Sequence, residues 1–199
     1  MRIEIRNDSV VIDGYVNAVA RDSRPMRDRA TGKRFVEQIV PGAFERAIKA
    51  RDVDLLLDHE KSRNLGSTRT NLTLYEDSIG LRAHAEVTDP EVIQKAREKK
   101  LRGWSFGFFE REASEEVLSN GMVRRYVEEM ELVEVSIIDE KKIPCYAGTS
   151  IETRAAGSEV LTSDILETRA VYVETEISQK TIDYSKYHNR IKELEKETK

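Results

Sequence analysis

Three short runs of the chain carry groups that could do chemistry together: Leu55-Leu56-Leu57-Asp58-His59, Gly103-Trp104-Ser105-Phe106-Gly107-Phe108 and Leu132-Val133-Glu134-Val135-Ser136. They supply a histidine, a serine and a carboxylate, each beside an apolar, β-prone stretch able to hold it rigidly. A serine hydroxyl becomes a useful nucleophile only when a base takes its proton and a third group fixes that base. The chain has three histidines, so the search for the base is short. In the alternating run Leu81 to Val87, His84 shares the polar face with Arg82 and Glu86 and points to water. His188 lies in a charged C-terminal stretch without apolar support. His59 follows directly on an apolar strand, where a side chain can be held and still reached. The plain alternative is a surface histidine at a strand end.

Two other chemistries can be weighed on the same residues. Ser105 sits in Gly-x-Ser-x-Gly, the nucleophile-elbow pattern of α/β-hydrolases. That fold needs strand, elbow and helix in order, with the acid and then the histidine following the serine. Here a helix precedes Ser105, a strand follows it, and the later histidine is His188. Chain order therefore rejects that fold. Metal catalysis fares no better. Asp58-His59-Glu60 are adjacent, and neighbours in an extended chain point to opposite sides. There is no His-Glu-x-x-His, and the single cysteine, Cys145, rules out a cysteine zinc site and an internal disulfide. No metal and no other cofactor is expected.

The elements that must position these residues are readable from periodicity. Ile3, Ile5 and then Val10 to Val16 suggest two strands joined near Asn7-Asp8, and Arg21 to Lys33 reads as a loop. Pro41-Gly42-Ala43-Phe44 opens a short helix with Phe44, Ala47 and Ile48 on one face. Val53 to Leu57 is a strand. Leu72 to Tyr75 and Leu81 to Val87 form a hairpin around a turn at Asp77 to Gly80. Asp89-Pro90-Glu91 starts a helix that runs through Leu101. Ser105 begins a strand, and Val123 to Ile138 is one long strand or two joined by a bend. On that strand Leu132, Glu134 and Ser136 would share one face, with Val133, Val135 and Ile137 turned to the core. About eight strands and two helices without a βαβ repeat predict an α+β fold: an antiparallel barrel or folded sheet flanked by helices.

The 199 residues suffice for one domain with a core. A composition of 35% charged and 39% hydrophobic residues with net charge −4 suits a soluble protein. It gives no basic block for nucleic acid. The N-terminal stretch lacks the apolar core of a signal peptide, and no apolar run approaches the roughly 20 residues that span a bilayer. A cytosolic protein is expected. After Tyr146 Ser, Thr and Glu dominate, which divides the chain into a domain at 1–155 and a polar, partly helical or flexible tail at 156–199.

Taken in order, several blocks resemble the tailed-phage prohead (capsid maturation) proteases. They are Ile12-Asp13-Gly14-Tyr15, Glu37-Gln38-Ile39-Val40-Pro41-Gly42-Ala43-Phe44, Leu55-Leu56-Leu57-Asp58-His59-Glu60 and Asn64-Leu65-Gly66-Ser67. Glu76-Asp77-Ser78-Ile79-Gly80-Leu81, Gly103-Trp104-Ser105-Phe106-Gly107-Phe108, Glu134-Val135-Ser136-Ile137 and Ile143-Pro144-Cys145-Tyr146-Ala147-Gly148-Thr149 continue the match. Trp104, Asp58 and Cys145 depart from the family's methionine, asparagine and alanine without removing a chemical group.

The resemblance implies a serine endopeptidase with an assemblin-like fold, mostly an antiparallel β-barrel flanked by helices, similar to herpesvirus maturation proteases. It places the base on His59 and the nucleophile on Ser105. By position it makes Glu134 the third member, where assemblins use a second histidine. The implied substrates are the major capsid protein and scaffold segments inside the assembling procapsid, in the host cytoplasm. Self-cleavage, contact with the portal and self-association would accompany them, with no nucleic-acid or membrane partner. The oxyanion needs backbone amides or an arginine; Arg102, Arg111, Arg124 and Arg125 are the candidates, and the plain reading of each is a solvated charge. Trp104, Phe106, Phe108 and Phe109 divide between groove and core. Two alternatives stand beside this reading: an inactive capsid-assembly scaffold with a protease-like barrel, and a hydrolase of small esters or amides.

Overall fold

The computed structural model describes residues 1–28 and 31–141 and the backbone of Ala170–Val171. Alternation of β-branched residues from Val123 to Ile138 produces a single 16-residue strand, and everything else in the larger sheet is arranged around it. In chain order the elements are β1 (Arg2–Ile5), β2 (Val10–Ala18), β3 (Met26–Arg27), β4 (Arg34–Ile39), α1 (Ala43–Ala50), β5 (Asp54–Leu57), β6 (Glu60–Ser67) and β7 (Leu72–Glu76). They continue with β8 (Gly80–Val87), α2 (Pro90–Arg97), β9 (Gly103–Val117), β10 (Val123–Ile138) and β11 (Ala170–Val171).

These strands form two sheets. One runs β1-β2-β8-β7. The other runs β11-β9-β10-β4-β3, with β5 added to β10 and β6 to β5. Among the described residues six ladders are antiparallel and three parallel. The expected α+β character and strand dominance hold, but among the described residues the sheets are not closed into a barrel. The reason lies in β10. Along one side it takes β4 beside Val123–Val127 and then β5 beside Glu134–Ile137, so that side divides between two partners. The two sheets share side chains rather than a hydrogen-bonded seam: Val10, Ile12, Leu81 and Ala83 of one join Phe35, Leu55, Phe106 and Ile137 of the other in one core.

Local signals explain the helices. Gly42 adopts φ 86° at the head of α1, a left-handed conformation that favours glycine. The exposed amides there are capped from outside, Glu76 of β7 accepting from Gly42 N (2.6 Å) and Glu45 N (2.7 Å). Asp89 caps α2 by accepting from Val92 N (3.0 Å), as its place before Pro90 predicts. That helix stops at Arg97, short of the expected Leu101, because Lys99 turns left-handed (φ 58°) and the chain leaves extended toward β9. Strands β3 and β4 lie where the sequence reads as loop or carries no sign of its own. The tail expected from residue 156 falls outside the described residues, apart from Ala170–Val171.

One buried ion pair ties α2 to the end of β10. Lys95 Nζ donates to Asp139 Oδ2 (2.7 Å), with Asp139 fully buried. Burial alone would raise the Asp139 carboxyl. The Lys95 ammonium, the Lys141 N–H and hydrogen bonding with Asp58 outweigh it and hold the group below the ordinary carboxylate value. A carboxyl depressed in the folded chain stabilises fully above its unfolded value, about 3.9, and loses that contribution as pH falls through the folded value. Asp139→Asn should therefore destabilise by about 1–3 kcal/mol at pH 7. The deficit should shrink on acidification below about pH 4, which urea midpoints measured across pH would register; a deficit independent of pH would contradict it.

Candidate active site

Two adjacent strands and the turn that follows a third each contribute one group. β9 and β10 are antiparallel with Ser105 opposite Ser136 and Gly107 opposite Glu134, so these four residues share a face. β5 runs parallel on the other side of β10 with Leu56 beside Ser136 and Leu57 beside Ile137. Glu134 thus lies between a strand carrying the serine and a strand leading to the histidine.

The register contains one correction. Leu132 pairs with Phe108 and Glu134 with Gly107, so Val133 is an extra residue, a β-bulge. The bulge turns Leu132 to the opposite face from Glu134. Leu132 joins the core with Val135 and Ile137, while Glu134 and Ser136 keep the other face. The expected grouping of Leu132 with Glu134 fails there, and Val133 drops out of the core set.

His59 is placed by a two-residue hairpin. Leu57 pairs with Glu60, and both residues between them have positive φ, Asp58 at 53° and His59 at 62°. Two successive left-handed residues make a type I′ turn, which usually recruits Asn-Gly or Asp-Gly. Here the second position is a histidine, and its conformation is held from outside. Asp58 N donates to Ile137 O (2.9 Å), Asp139 N donates to Asp58 Oδ1 (3.0 Å), and His59 N donates to Ser136 Oγ (3.0 Å). Strain of this kind persists where the surroundings over-determine it.

The side chains then make one line. Glu134 Oε1 lies 2.6 Å from His59 Nδ1, and His59 Nε2 lies 2.9 Å from Ser105 Oγ. Ser136 Oγ donates to the second Glu134 oxygen, Oε2 (2.6 Å). Glu134 and Ser136 are fully buried and Ser105 is 6% exposed. With Nδ1–H donated to the carboxylate, Nε2 is left with its lone pair toward the hydroxyl, the tautomer a general base requires. A family model described as caudovirus prohead serine protease matches residues 1–163. The chain belongs to that family. No curated protein and no solved structure shows a significant match.

For a member of this family, several of the remaining sequence candidates can be placed. His84 is about half exposed on β8 and faces Asp13 (3.4 Å), away from Ser105. His188 and Cys145 lie outside the described residues. Arg111 pairs with Glu131, Arg124 with Asp22 (2.8 Å) and Arg125 with Glu115 (3.0 Å), each occupied by a surface carboxylate. Trp104, Phe106 and Phe108 face the core, where Phe106 meets Phe44 edge-on at 5.2 Å and stacks on Phe108 at 5.4 Å. Of the four aromatic residues, Phe109 alone is half-buried, with Arg111 over its ring. An open groove of about 940 Å3 is lined by Asp54, Ser67, Met130 and Glu131 among others, but not by His59, Ser105 or Glu134. Among the described residues no group of three or more His, Cys, Asp and Glu is placed to hold a metal ion. No helix there is long and apolar enough to cross a membrane.

Ser136 is the residue that the sequence alone leaves without a role. Its signal is spacing: two residues after Glu134 on a strand, it must share that face. It bonds both neighbours, so Ser136→Ala would strand the His59 amide and one Glu134 oxygen out of water. That substitution should lower stability by about 1–3 kcal/mol in urea titration. Ser114→Ala, whose hydroxyl meets Glu128 on the exposed surface, should stay within about 0.5 kcal/mol. Equal effects would show that Ser136 is not part of the buried framework.

Proposed function

We propose that this chain is a serine endopeptidase whose nucleophile is Ser105, whose general base is His59 and whose orienting acid is Glu134, and that it processes the major capsid protein and scaffold segments within the procapsid in the host cytoplasm. The observation that carries the proposal is the unbroken line from buried Glu134 through both ring nitrogens of His59 to Ser105 Oγ. Family membership supports a capsid protein as the substrate class.

The steps follow from that line. His59 Nε2 accepts the Ser105 proton as the oxygen attacks a peptide carbonyl, and Glu134 stabilises the imidazolium that results. The tetrahedral intermediate collapses as the imidazolium gives its proton to the departing amine, leaving an acyl-enzyme on Ser105. Water, deprotonated by the same nitrogen, then attacks the ester, and the proton passes to Ser105 Oγ as the ester C–O bond breaks and the acid leaves. Ser136 holds the second Glu134 oxygen, so the carboxylate cannot swing away from Nδ1. Cleavage within the chain's own residues 156–199 belongs to the same proposal.

Co-expression with the capsid protein, read by mass spectrometry of intact chains, tests it. Ser105→Ala and His59→Ala should fold and abolish processing, a loss on the order of 10⁶ in turnover. Glu134→Gln should cost up to about 10⁴, because an amide favours the wrong tautomer. His84→Ala should process normally. Near-normal processing by folded Ser105→Ala would reject the enzyme in favour of a scaffold.

A further inference from the structure

β9 has two edges, and β10 occupies one of them. On the other, the backbone of β11 pairs in parallel, Ala170 beside Gly107 and Val171 beside Phe108. These residues are two and three positions from Ser105 on the same strand, roughly 7–10 Å along it.

The surroundings of Ser105 limit how a polypeptide can reach it. Ser136 of β10 lies across from it on one side. Beneath β9, the core is filled by Trp104, Phe106 and Phe108. Above, the His59 ring stands 2.9 Å from Oγ. The approach left to an extended chain is along the outer edge of β9, where strand addition supplies main-chain hydrogen bonds irrespective of side-chain identity. That edge is where Ala170–Val171 lie.

We infer that the segment at Ala170–Val171 is an intramolecular inhibitory strand that holds the outer edge of β9 and must leave before a polypeptide substrate can align with Ser105. The inference rests on the protease reading for its regulatory meaning, and on the β9–β11 ladder alone for the docking. A two-residue ladder is weak enough to be displaced, since short strand pairings are marginal in water. A segment of the same chain nevertheless competes at an effective concentration of up to the order of mM, above any single outside substrate in dilute solution. Occupancy would fall as the substrate becomes concentrated or the tail is cut.

The experiment uses the full chain. In the Ser105→Ala background, which keeps the tail intact, amide exchange over Phe106–Phe109 is compared with and without Ala170→Pro plus Val171→Pro. Proline removes the backbone donors that a ladder needs. Exchange in that stretch should quicken by roughly tenfold or more in the double-proline chain. A synthetic peptide of residues 165–177 should slow it again. Unchanged exchange would overturn the docked strand. With Ser105 restored, the double-proline chain should cleave a reduced, carboxymethylated protein with a KM several-fold lower and kcat unchanged. Faster exchange with an unaltered KM would overturn the inhibitory role. Faster exchange with no cleavage by either chain would count against the protease reading and leave the strand docking in place.

Discussion

Strand β10 is hydrogen-bonded along both sides, and the position of every group in the candidate site follows from that. Its antiparallel register with β9 sets Ser105 against Ser136, and its parallel register with β5 sets Leu57 against Ile137. A slip of one residue on either side would move a whole row of side chains to the other face. The apolar row resists such a slip. Trp104, Phe106, Phe108, Leu132, Val135 and Ile137 would leave the core together, and each large side chain contributes about 1.5–3 kcal/mol by burial. The hydrophobic face thus fixes the polar face. The bulge at Val133 is the departure nearest the site, and it lets two rows of different phase both be satisfied: Leu132 inward before it, Glu134 on the opposite face after it.

Glu134 shows what this rigidity achieves. A fully buried carboxylate is costly unless hydrogen bonds replace its water. Here the replacements come from Ser136 and from the histidine it is proposed to serve. The same low-dielectric setting that makes the carboxylate expensive strengthens its attraction for an imidazolium, so a proton arriving on His59 meets a counter-charge already oriented. Behind the turn, Asp58 accepts from the Asp139 amide while Asp139 holds Lys95. α2 is thereby coupled to the backbone that carries His59, although it contributes no group to the site. The helix acts as ballast for the turn.

Much of the candidate site's geometry is legible in the sequence, and the limits of that legibility are physical. Strict period-two alternation from Leu81 to Val87 correctly placed His84 in water, because on a half-buried sheet face polarity and periodicity report the same thing. Asp89 before Pro90 marked a helix start through a local hydrogen bond, and local bonds leave local signatures. The Val133 bulge left none, since a bulge is a relation between two strands and Val133 fits either face by composition. β4 and β6 were missed for a like reason: Arg34–Ile39 and the polar Glu60–Ser67 are strands through their partners, β10 and β5, rather than through their own patterns. The closed barrel is not seen among the described strands, and that too is a matter of partners. Closure depends on which strands share β10, a choice that no single segment records.

The proposed polypeptide-cleaving site, with Ser105 near the start of β9, carries a structural conflict. The proposed nucleophile needs a strand edge that stays open to extended chains, and an open edge invites pairing with any extended chain, including another copy of itself. Charged residues protect the distal half of β9, where Glu110, Arg111, Glu112, Glu115 and Glu116 crowd the exposed surface. No such protection is possible from Gly103 to Phe108, whose side chains are buried in the core or committed to the site. A short pairing with β11 meets both demands: it satisfies two residues of backbone at the vulnerable stretch, and it is brief enough to yield to a longer partner. The position of that ladder, immediately beyond Ser105 rather than along the charged half, is where the conflict is sharpest.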